Sequence, residues 1–195
     1  MTRSYLLLAV AAAVLALPLA ATAADSDPAF DAFRAICGDT NDNFPTVVTA
    51  AATADGWQDA NVMGDDFPGV SVTDKAARAK GEGTQMITLR ATRGLRTAKE
   101  GDITVSTCVI SSANVTPGLL GRVQAWLKLT PASTDSDKDT GVDKASYLLT
   151  LDADGARQAI TQADVAAAVG KGGAHLLKFR EGADGEVLEY DRFSK

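Results

Sequence analysis

Histidine and cysteine are almost missing from these 195 residues: His175 stands alone, and Cys37 and Cys108 are the only thiols. A single imidazole rules out an H-E-x-x-H metal site. No serine sits in a G-x-S-x-G elbow, and no glycine-rich phosphate loop follows a strand, so the common hydrolase and nucleotide-binding signatures are missing too. Long apolar runs are equally scarce. The longest, Leu6 to Leu17, is too short to cross roughly 30 Å of hydrocarbon as a helix, and no later stretch approaches that length. Excess positive charge is also lacking. The formal net charge of −6 repels nucleic acid and anionic membrane surfaces, and neither is expected as a partner.

The beginning of the chain has the layout of a secretory leader. Arg3 provides the charge, Leu6 to Leu17 the apolar core, Pro18 the break and Ala21-Thr22-Ala23 the small-x-small exit before Ala24. Residues 1–23 are therefore expected to be a signal peptide, and residues 24–195 one α+β domain that is periplasmic or secreted. Loss of Arg3 with the leader takes the formal charge from −6 to −7. In an exported chain two cysteines are most simply one disulfide. A reactive thiol would need a neighbour to lower its pKa, and no histidine or second cysteine lies near either one. The bridge would close a loop over 71 residue steps, for which chain entropy gives about 4 kcal/mol.

Asp27-Pro28 predicts a helix start, with Phe30, Phe33 and Ile36 or Cys37 on its inward face and Gly38 at its end. Asn43 and Pro45 open a second helix that stops at Gly56, followed by Trp57 as a core anchor. Residues 61–73 lack a period and read as a loop. Met86–Ala91 and Ile103–Ile110 alternate like strands. Thr116-Pro117 opens a helix with an apolar stripe of Leu119, Leu120, Val123, Trp126 and Leu127. Residues 130–144, rich in Asp, Ser, Thr and Lys, predict an exposed acidic loop. A strand at Tyr147–Leu151, a turn at Asp154-Gly155, a capping box at Thr161 and Asp164 before a helix ending at Gly170, and strands at Leu176–Phe179 and Val187–Tyr190 complete the chain. The sum is an α+β domain with a mostly antiparallel sheet and helices packed mainly on one face.

Three groups of residues are candidates for chemistry. Asp135, Asp137 and Asp139 have the alternate spacing of calcium ligands, but Thr140 occupies the glycine position and Ser146 the glutamate position, so a solvated acidic linker is the plainer reading. Charge reverses sharply in mid-chain. Ala35 to Asp74 holds seven acidic and no basic residues, while Lys75 to Lys99 holds seven basic and one acidic. Arg90, Arg93, Arg96 and Lys99 form the densest part and suit a carboxylate or phosphate; a solvated hairpin loop around Gly94 explains them as well. Paired carboxylates for a hydrolase stay open at Asp65-Asp66 or at Glu186 and Glu189. His175 reads as a structural or exposed imidazole.

The pattern Phe33-x-x-x-Cys37, an alanine-rich helix ending in Gly56-Trp57, then Cys108 and a helix carrying Trp126 resembles a group of small exported alphaproteobacterial proteins. The resemblance spans most of the chain after the leader. It implies a periplasmic, disulfide-bonded α+β domain and brings neither a cofactor nor a catalytic residue with it. The expectation is thus a non-enzymatic binding or interaction domain of the bacterial envelope, its partner an envelope protein or an anionic ligand met at Arg90–Lys99. The alternative is an envelope hydrolase using paired carboxylates.

Overall fold

Alternation of side chains along the strands gives the sheet one face rich in large apolar residues, and three of the α-helices pack on it. The computed structural model describes residues 26–61, 69–98 and 101–195; the leader, Asp65-Asp66 and Lys99 lie outside them. Strands β1 (Gln58–Asp59), β2 (Ser71–Lys80), β3 (Ile87–Ala98), β4 (Gly101–Ser112), β5 (Ser133–Asp137), β6 (Val142–Leu151), β7 (Arg157–Ala159), β8 (Ala174–Gly182) and β9 (Gly185–Ser194) form one sheet. Its order is β1-β2-β3-β4-β9-β8-β6-β5, with β7 beside β6. Every pairing described is antiparallel. The fold class is α+β.

Side chains two apart share a sheet face. The ladder therefore aligns Leu89, Ile110, Leu188, Phe179 and Ala145 in one row and Ala91, Cys108, Tyr190, Leu177 and Tyr147 in the next. Helices α1 (Pro28–Phe33), α2 (Phe44–Thr53) and α3 (Leu119–Leu127) place Phe30, Phe33, Val47, Leu119 and Val123 in the same buried cluster. Phe33 meets both Trp126 and Phe179 edge-on, with ring centroids 6.0 and 5.4 Å apart, the geometry an aromatic quadrupole favours. Helix α4 (Val165–Lys171) packs against β8 and β9, and its Val169 is buried outside that cluster. Among the described residues no helix is long and apolar enough to cross a membrane.

Cys37 and Cys108 are joined, with their α-carbons 5.7 Å apart. Cys37 lies in a π-helical turn, Arg34–Gly38, that continues α1. The bridge thus fastens the first helix to the centre of the sheet. Gly38 completes the join: a β-carbon there would stand 2.6 Å from the Trp126 ring.

Several expected boundaries move. Residues 130–144 are exposed as expected, but from Ser133 onward they form a β-hairpin, β5–β6, and not a loop; Ser133 and Ser146 share a hydrogen bond across it, as do Ser136 and Asp143. Both faces of β5 are exposed, so no apolar period announces it. Residues 71–73, expected in a loop, open β2, whose alanines and basic residues have low strand propensity and whose place comes from pairing with β3. Gly94 is inside β3, where a β-carbon would stand 2.6 Å from the Ser71 carbonyl oxygen, at the bulge that shifts β2 between Val72 and Asp74. Helix α3 starts at Leu119, two residues later than Pro117. Glu181 of β8 supplies its cap, accepting hydrogen bonds from the Gly118 and Leu119 amides at 2.9 and 2.8 Å.

Candidate functional site

The expected arginine cluster is divided by the strand that carries it. Arg90 and Arg96 point to one face of β3 and Arg93 to the other, since the β3–β4 ladder runs without a bulge. Arg93 instead lines a cavity of about 300 Å³ together with Arg192, Thr104 and Ser106. The same cavity takes in Asn43, Phe44 and Pro45, the N-terminus of α2. Two guanidinium groups and the positive end of a ten-residue helix give this space the charge that an anion requires.

A second, larger cavity of about 720 Å³ shares Asn43 and Arg192 with the first. Its walls come from three places. The loop between α1 and α2 contributes Thr40 and Asn41, the β6–β7 turn contributes Asp152, and the end of α4 contributes Lys171 and Gly172-Gly173 before His175. Each wall is locally determined. Thr40 Oγ1 donates to the Ile36 and Cys37 carbonyls, and Asn41 and Asp42 both adopt the left-handed conformation at φ 51°. Asp152 is spent on its own turn, accepting from the Asp154 and Ala156 amides and from Gln158, bonds that lower its pKa. Lys171 and Arg192 are the cations of this wall.

Polar groups collect behind it without finding partners. His175 is 2% exposed and Asp42 1%, and the His175 ring lies 5.5 Å from that of Tyr190. Neither Asp42 oxygen, nor His175 Nδ1, nor the Tyr190 hydroxyl, nor Nε of Arg157 and Arg192 makes a hydrogen bond of normal geometry, although the Arg192 amide lies near Asp42 and Arg157 near the Tyr190 hydroxyl. Burial pushes the His175 pKa down to about 4, and the Arg192 and Arg157 charges reinforce the shift, so the ring is neutral at pH 7. Burial raises the Asp42 carboxyl well above the usual carboxylate range and Asp191 adds to the rise; Arg192 offsets part of it by its charge and backbone amide. Arg157 is held by the Gly38 carbonyl at 3.0 Å and by the Trp126 ring, 4.4 Å from its centroid. The sequence offered little to find this site by, because its residues come from β3, β4, β8, β9, the ends of α2 and α4 and three connections. Only the Gly172-Gly173 doublet before the lone histidine marks the place.

The remaining candidates separate. Asp135 and Asp137 lie on β5 and Asp139 in the turn after it. Asp137 Oδ1 accepts the amides of Asp139 and Thr140, while Asp135 lies 4.0 Å from Lys144. Among the described residues no three acidic, histidine or cysteine side chains are grouped as metal ligands. Glu186 and Glu189 sit an odd number of residues apart on β9 and so face opposite sides of the sheet. Glu189 and Asp191 share Lys178, at 2.6 and 2.9 Å. Glu186 faces inward, 2% exposed, and its neighbour is a carboxyl group that sequence reading did not pair with it, Asp27. Asp27 caps α1 through the Phe30 amide and binds Arg122 at 2.6 Å. Burial, with Asp27 next, pushes the Glu186 pKa up to about 8.

No known protein family, curated protein or solved structure matches this chain.

Proposed function

We propose that this chain is an exported, non-enzymatic binding domain of the bacterial envelope whose site is the polar cleft around Arg192, and that its ligand is an anion. The leader-like first 23 residues and the Cys37–Cys108 bridge support export, since disulfides persist outside the reducing cytoplasm. The observation that carries the binding reading is the meeting of Arg93 and Arg192 at the N-terminus of α2. Charge-assisted hydrogen bonds from two guanidinium groups hold a carboxylate or phosphate far better than one surface cation does. Titration with inorganic phosphate at low ionic strength tests it. Arg93→Ser should weaken binding at least fivefold, whereas Arg90→Ser with Arg96→Ser should leave it unchanged. Equal loss from both variants, or no phosphate binding by the parent protein, rejects the site.

A second reading, an envelope hydrolase, draws on Asp27 and Glu186. Asp27 lines a cavity of about 460 Å³ beside Arg122, and two carboxyl groups in different surroundings, one with its pKa raised by burial, are the setting for a general acid and its partner. It ranks second because Asp27 already spends both oxygens on a helix cap and an ion pair. Turnover of chromogenic glycosides that Glu186→Gln abolishes would promote it, and no turnover would dismiss it.

A further inference from the structure

The two cavities that meet at Arg192 differ in what they ask of an occupant. The smaller offers cations and a helix N-terminus, which an inorganic anion satisfies. The larger is backed by a different chemistry. Among the described residues eight buried polar side-chain atoms lack a hydrogen bond of normal geometry, and six of them belong to Asp42, Arg157, His175, Tyr190 and Arg192. Unpaired buried polar atoms are uncommon in native folds, and such a concentration calls for a water, an ion or a ligand. His175 and Arg192 line the cavity directly. Asp42 lies between the lining residues Asn41 and Asn43, and Tyr190 stands against the His175 ring.

The unmet groups include both kinds. The Nε–H groups of Arg157 and Arg192 donate, the Asp42 carboxyl accepts, and a tyrosine hydroxyl and an imidazole each do either. An inorganic anion brings acceptors only, and an apolar molecule brings neither. A hydroxyl group supplies a donor and an acceptor from one atom. The size agrees: about 720 Å³ falls in the range of sites for organic small molecules, far more than one phosphate fills.

We infer that the ligand of this cleft is a polyhydroxylated anion, a sugar acid or a sugar phosphate, with its charged group at Arg93 and Arg192 and its hydroxyls in the larger cavity against His175 and Asn41. This rests on the cleft being the anion site proposed above. Lys171 at the rim adds charge on the hydroxyl side and so disfavours a neutral sugar relative to an acidic one.

Calorimetric titration of the disulfide-bonded protein with inorganic phosphate, glucose 6-phosphate, glucuronate and glucose tests the inference. Glucose 6-phosphate or glucuronate should bind roughly tenfold tighter than phosphate, the equivalent of one or two added hydrogen bonds, and which of the two is tighter assigns the charged group as phosphate or carboxylate. Glucose should bind more weakly than either. Asn41→Gly removes an amide from the wall while keeping a backbone at φ 51° that glycine accepts freely. It should cut the preference for the sugar anions severalfold and leave phosphate affinity unchanged. His175→Gln should do the same, and if that variant does not fold, Asn41→Gly decides. Sugar anions that bind no tighter than phosphate, or a preference that the folded variants leave intact, would overturn the inference and leave the anion site standing. Failure of every probe to bind would overturn both.

Discussion

Glu186→Gln should make the protein more stable in alkali than its parent, an outcome that follows from where the carboxyl group sits. Glu186 is 2% exposed, adjoins Asp27 and Glu181, and has Arg122 as its compensating charge. Its pKa rises from 4.5 to about 8, so the folded state holds a proton that the unfolded state has released. Stability from this group is complete below pH 4.5 and is lost as pH rises through 8. A shift of that size corresponds to at most about 5 kcal/mol. Coupling to the neighbouring carboxyl groups spreads the titration over the cluster, and about 2 kcal/mol is expected from Glu186 itself. Glutamine mimics the protonated acid, so the variant should match the parent near pH 5 and exceed it by about 2 kcal/mol at pH 9. Urea denaturation of both proteins at half-unit steps from pH 5 to 9 measures this. Taking the difference between the two cancels His175, Asp191 and the other titrating groups that do not interact with Glu186. A difference that stays constant across the series would refute the reasoning.

Two further outcomes follow from the same structure. Replacing Cys37 and Cys108 together by alanine should cost about 4 kcal/mol through the 71-residue separation, seen as a fall in Tm of roughly 10 °C for a chain of this size; an unchanged Tm would remove the bridge from the account of stability. The His175 ring should titrate near pH 4 by NMR, and because its folded pKa lies below the ordinary 6.5, its contribution to stability is complete above pH 6.5 and is lost as pH falls through 4. A midpoint near 6.5 would mean the ring is solvated and not buried behind the cleft.

What sequence reading captured were features whose signal is local. Asp27 caps α1 and Asn43 caps α2 with their own side chains, the Thr161–Asp164 box closes on itself, and Asp154-Gly155 turns β6 into β7. Cys37 and Cys108 were paired because no other partner existed. The failures are elements held from a distance. The β5–β6 hairpin is polar on both faces of its first strand, and β2 is drawn from alanine, lysine and arginine; neighbouring strands supply what their own residues do not. The cap of α3 comes from Glu181, 62 positions away. The same holds for the cleft. Arg93 and Arg192 meet only because β4 and β9 are neighbours, and a charge count along the chain grouped Arg93 with arginines that face the other way.

β9, the last strand described, occupies the middle of the sheet, between β4 and β8. A chain emerging from its first residue onward has β1 to β4 and β5 to β8 in hand before the piece that joins them exists. Until Gly185–Ser194 arrives, β4 and β8 each present a bare ladder of backbone groups, the template on which copies stick to one another. Cys37 and Cys108 both precede that moment, so crosslinking can hold the first half in shape during the wait. A cut before residue 185 would leave two unjoined halves, and with them no cleft, because Arg192 arrives on the joining strand.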